Sequence, residues 1–110
     1  MKIESREIND VIAIDFEGDL DTNTSPEAEK FINKIIEQNN QKLLVNFENL
    51  DYISSAGLRI LLGTMKTLKT TGGELRICNL NDTVLEIFDI SGFSTILSVY
   101  GSEDNALNEF

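Results

Sequence analysis

The sequence contains no histidine and a single cysteine, Cys78. Lack of histidine removes the commonest general base and metal-binding imidazole, and one cysteine permits neither an internal disulfide nor a zinc site of paired thiolates. Hydrolytic triads and zinc centres are therefore excluded. No Gly-x-Gly-x-x-Gly and no Gly-Lys-Ser/Thr occurs, so the usual nucleotide cradles are missing too. Long apolar runs are also absent. No stretch reaches the roughly eighteen consecutive apolar residues of a membrane span, and residues 1–7 lack the apolar core of a signal peptide, so a cytoplasmic protein is expected. Basic residues are scarce. Nine Lys and Arg stand against 19 Asp and Glu, a formal charge of −10 that repels nucleic acid phosphates and anionic lipid surfaces. Direct nucleic acid or membrane binding is not expected.

What is present describes one compact domain over residues 1–110, with 41% hydrophobic and 25% charged residues and no low-complexity stretch. Ile12, Ile14 and Phe16 alternate with Ala13, Asp15 and Glu17, the period of a strand with one covered face. Asn9-Asp10 before it marks a hairpin from a first strand around residues 2–7. Leu43, Leu44 and Val45 are consecutive, as in a central strand at 42–47 buried on both faces. Further strands are expected at 74–79, after the Gly72-Gly73 turn, and at 96–100. Cys78 ends the strand-like Leu75-Arg76-Ile77-Cys78 and reads as a buried structural thiol.

Between the strands lie helical patterns. Ala28, Phe31, Ile32, Ile35 and Ile36 make one apolar stripe, led by Thr24 and Ser25 as candidate caps, Pro26 in the first turn, and Glu27 and Glu29 for the dipole. A second helix at 55–71 carries Leu58, Leu61, Leu62, Met65 and Leu68 on its core face. A third spans 82–90 from Asn81 or Asp82 to Ser91-Gly92, and a fourth begins at Ser102. The order ββαβαβαβα predicts an α/β fold: a mixed, mostly parallel sheet of four to five strands with helices packed mainly on one face.

Chemistry is sparse. Asp19 and Asp21 share a strand face and could be imagined as an acid/base or magnesium pair, but carboxylates in a turn after a strand are commonplace. The informative segment is Leu50-Asp51-Tyr52-Ile53-Ser54-Ser55-Ala56-Gly57-Leu58-Arg59, which leads into the second helix. Hydroxyls at a helix start are by default caps, and on that reading Ser55→Ala costs about 1 kcal/mol. Gly57 inside the first turn costs about 1 kcal/mol relative to Ala and implies close approach of another backbone or molecule. Ala56, Ile60, Gly63 and Thr67 lie opposite the core stripe as a small, uncharged strip headed by Ser55. It is either ordinary surface or a face on which a partner docks.

Together with Gly18-Asp19-Leu20-Asp21, Thr71-Gly72-Gly73-Glu74-Leu75 and Phe88-Asp89-Ile90-Ser91-Gly92-Phe93, that segment resembles the STAS domain, and within it the bacterial anti-sigma factor antagonists. The resemblance covers nearly the whole chain and implies the STAS fold. It also implies that Ser55, two positions before Gly57, is phosphorylated by a partner kinase that is itself the anti-sigma factor. The family often has Asp directly before the acceptor; Ser54 stands there, and is the second candidate acceptor. Asp21 matches the family's acidic residue in the loop before the first helix. The implied partner surface is thus Asp21, Ser54, Ser55, Ala56, Gly57 and Ile60. In the implied cycle the unmodified protein, a monomer when free, binds a GHKL-type anti-sigma serine kinase and releases a sigma factor. Phosphorylation ends the binding, and a PP2C-type phosphatase restores it. The chain would use no cofactor and be no enzyme; a STAS adaptor subunit of a larger signalling or lipid-transport assembly is the alternative, and a small enzyme built on Asp19 and Asp21 a third.

Overall fold

The computed structural model describes residues 1–108 and 110. A hairpin of β1 (Lys2–Ile8) and β2 (Val11–Leu20) leads into α1 (Ser25–Glu37), β3 (Lys42–Ile53), α2 (Ser55–Lys69), β4 (Glu74–Cys78), α3 (Asp82–Ile90), β5 (Ser98–Tyr100) and α4 (Glu103–Leu107). A 3-10 turn at Phe93–Thr95 shortens the expected last strand. The five strands stand in the sheet in chain order, β1 antiparallel to β2 and every later neighbour parallel. Each β-α-β crossover therefore steps the same way, and right-handed connections stepping one way carry their helices to one face. Ala28, Ile32, Leu58, Leu61, Leu68, Val84 and Phe88 accordingly share one core with Ile14, Phe16, Leu43, Val45 and Ile77 of the sheet.

The opposite face is covered in part by α4. Val11, Ala13, Leu44, Cys78 and Ala106 form a second, smaller core there, so β2 is covered on both faces at its start rather than on one. Arg6 pins α4 by bonding Asp15 at 2.6 Å and Glu103 at 2.5 Å. Arg76, itself buried, donates to the carbonyls of Ala106 and Asn108 at 2.9 and 2.8 Å. Burial beneath this cover pushes the Cys78 thiol up to about 12.

Two corrections to the sequence reading shape the candidate site. First, β3 does not stop at Phe47. Register shifts in the β2–β3 pairing, opposite Asp15 to Glu17 and Gly18 to Asp19, each place an extra residue on β3 and let pairing continue to Asp19 with Tyr52 and Leu20 with Ile53. Gly18 takes φ +98°, which an L side chain rarely tolerates. Second, the buried side of α2 is turned from the expected stripe toward Gly57, Ile60 and Thr64, leaving Leu62 and Met65 only half-buried. The cause is Gly57: a Cβ there would lie 2.8 Å from Ile53 Cγ1 and 2.9 Å from the Leu20 carbonyl oxygen. Its absence lets the helix head settle onto the ends of β2 and β3. Thr64 tolerates burial because its hydroxyl donates to the Ile60 carbonyl at 2.8 Å.

Candidate functional site at the head of the second helix

The ends of β2 and β3 set the turn into α1 beside the start of α2. Asp21 Oδ1 accepts from the backbone N–H of Asn23 at 2.9 Å and of Thr24 at 3.0 Å. Thr24 answers: its hydroxyl accepts from the Asp21 N–H at 2.9 Å and donates to the Asp19 carbonyl at 2.8 Å. The bond from the Thr24 N–H foremost, with those from the Thr24 hydroxyl and the Asn23 N–H, holds the Asp21 carboxyl below its ordinary range. The reciprocal Asp21–Thr24 pair has the spacing of a capping box, a signal present in the sequence but unused there. Thr24 and Ser25 do not cap α1 with their side chains as expected. Thr24 spends its hydroxyl on the turn, and Ser25 Oγ is buried without a partner among the described residues.

On the facing side the Ser54 N–H donates to the Leu20 carbonyl at 2.9 Å, tying the head of α2 to the end of β2. Ser54 is extended, with φ −96° and ψ 174°, and its hydroxyl accepts from the Gly57 N–H at 3.4 Å. Ser54 is therefore the N-cap, and the expectation that Ser55 fills that role is corrected. Ser55 is the first helical residue, exposed, and its hydroxyl bonds nothing among the described residues.

Not every residue of the expected partner surface lies open. Gly57 is buried against Leu20 and Ile53, so it shapes the site without offering a surface. Ile60 is only 9% exposed, and with half-buried Ala56 it lines a groove completed by Thr22, Ser25, Pro26, Glu29 and Arg59. The small strip read from the sequence is thus divided: Ala56 and Ile60 turn toward α1, while Gly63 and Thr67 face solvent. The structure brings Asp21, Ser54 and Ser55 to one end of the sheet. It places the exposed cation Arg59 on the same helix, a residue that sequence reasoning passed over. No group of three or more His, Cys, Asp or Glu side chains is placed to hold a metal ion, and no helix is long and apolar enough to cross a membrane, among the described residues.

The α/β layer thus leaves the Ser55 hydroxyl exposed and unbonded at the head of α2. The STAS domain profile matches residues 2–106, and the chain belongs to the STAS domain family. It is 30% identical over 110 residues to the anti-sigma F factor antagonist of Paenibacillus polymyxa, covering 99% of this chain and 94% of that protein. The fold superposes with a TM-score of 0.88 on an anti-sigma factor antagonist from Mycobacterium paratuberculosis at 20% identity, covering 96% of this chain and 90% of that one. The phosphorylated form of the Bacillus cell fate determinant SpoIIAA matches with a TM-score of 0.74 at 23% identity, over 97% of each chain. These relatives are regulators, and the chain is a regulatory protein of their family, not an enzyme.

Proposed function

We propose that the chain is a cytoplasmic anti-sigma factor antagonist switched by phosphorylation of Ser55. Unmodified, it binds a GHKL-type anti-sigma serine kinase, so that a sigma factor is released; phosphorylated, it lets go, and a PP2C-type phosphatase resets it. The observation that carries this reading is the division of labour between neighbouring serines. Ser54 is committed to the cap, whereas the Ser55 hydroxyl is exposed and unbonded. A phosphate on Ser55 adds about −1.5 to −2 charge at a helix head, where free N–H groups and the dipole favour it, so the fold survives the modification. An interface closed over Ser55 does not, because an unpaired charge taken out of water is costly. The SpoIIAA relative known in a phosphorylated form supports the same reading.

With the cognate kinase and ATP, intact mass should rise by one phosphate located at Ser55. Label on Ser54 with Ser55→Ala still accepting it would overturn the assignment. By calorimetry at fixed salt and nucleotide, Ser55→Ala should bind the kinase within a few fold of the parent, and homogeneous phospho-Ser55 protein at least about tenfold more weakly, equivalent to 1.4 kcal/mol. Equal affinity of the phosphorylated and unmodified proteins would replace the switch with the adaptor-subunit reading.

A further inference from the structure

Residues 54–73 carry three cations, Arg59, Lys66 and Lys69, and no carboxylate, in a chain where acidic residues outnumber basic ones 19 to 9. The other helices each place an acid in the first turn: Glu27 in α1, Asp82 in α3, Glu103 and Asp104 in α4. The first turn of α2 has none. The state of Arg59 is the second, separate observation. Arg6 and Arg76 both sit against carboxylates, but Arg59 is exposed and makes no ion pair or hydrogen bond among the described residues. Even Glu29 of α1, which lines the same groove, is not paired with it. Arg59 follows Ser55 by four residues in one continuous helix. Residues so spaced lie one above the other with Cβ atoms about 5–6 Å apart, and the anion-first order is the favourable one for an ion pair.

We propose that Arg59 is the intramolecular counter-ion of phospho-Ser55, its guanidinium pairing with the phosphate oxygens across one turn of α2. The proposal rests on Ser55 being the modified residue. A planar guanidinium offers paired N–H donors to phosphate, and no carboxylate of α2 competes for them. Phosphorylation then does more than add charge. It takes the free cation away from an incoming partner and adds negative charge where that cation stood.

The test installs phosphoserine at position 55 during translation, so that no kinase is involved, in the full chain and in its Arg59→Gln and Arg59→Lys variants. Phosphorus NMR follows the second ionisation of the phosphate, which lies near pH ~6 for phosphoserine. The midpoint should be lowest in the parent, about 0.3 pH units higher in Arg59→Gln, as an exposed i,i+4 pair provides, and restored in part by Arg59→Lys. The separation should shrink at about 1 M salt, where the screening length is about 3 Å. A packing role for Arg59 would leave the phosphate midpoint unmoved. Coinciding midpoints in the three proteins would overturn the proposal while leaving the switch standing, whereas a kinase that ignores Ser55 would remove the switch without altering the titration.

Discussion

Two adjacent serines of the same composition are set apart by a single backbone step. Ser54 is extended and caps α2; Ser55 is already helical and cannot. Ser54→Ala should therefore cost about 1 kcal/mol in urea unfolding, the usual value of a lost cap, whereas Ser55→Ala should change stability by a few tenths at most. A larger loss at Ser55 would mean that the cap had been assigned to the wrong residue. The sequence showed two hydroxyls before a helix but not which would cap it, because that depends on β3 continuing to Ile53 through register shifts that no local pattern announces. Cys78 is more legible: a lone cysteine ending a strand-like segment reads as buried, and it is. With burial raising the thiol to about 12, it stays protonated at mildly alkaline pH. A disulfide reagent should label it only under denaturing conditions.

Across an element, the same substitution should act with opposite sign at the two glycines of α2. At Gly63 a Cβ would meet nothing within 4 Å, so Gly63→Ala should stabilise the fold by about 0.5–1 kcal/mol through helix propensity. At Gly57 the same propensity gain is set against contacts of 2.8 and 2.9 Å, one of them with backbone, and overpacking of about 1–3 kcal/mol should win. Melting temperatures moving together in the two variants would contradict the packing at Gly57. This pair also shows where sequence reading of α2 succeeds and fails. Leu58, Leu61 and Leu68 were rightly placed in the core by their period. The period alone could not show that a missing Cβ turns the helix toward Gly57, burying Ile60 and Thr64 and easing Leu62 outward. The sequence marks Gly57 as a point of close approach, and what approaches is Ile53 and Leu20 of the chain itself.

For the molecule as a whole, acid should act through a few carboxylates that the fold holds below their ordinary range: Glu103 by Arg6, Asp10 by Lys42, and Asp21 by Thr24. A carboxylate with a lowered folded value contributes its stability fully above the unfolded value, and loses it as pH falls through the folded one. Neutralising the acidic surface works the other way, relieving repulsion in a chain of charge −10. Comparison with Glu103→Gln isolates the pair: the parent's advantage near pH ~6 should shrink steadily as pH falls below the ordinary carboxylate range. An advantage independent of pH would show that Arg6 holds α4 by something other than charge. The element order and mostly parallel sheet were legible because strand and helix periods alternate cleanly; the cover over the second face was not, since it depends on partners far apart in the chain. That cover has a consequence for synthesis. Because the strands lie in chain order, each new strand pairs with one already made, whereas the second face stays uncovered until α4 follows β5 and its Glu103 bonds Arg6 across 97 residues. Nascent chains stalled before α4 emerges should leave Cys78 open to a thiol probe, and chains stalled after it should not, so the one cysteine would time the closing of the molecule on its way out.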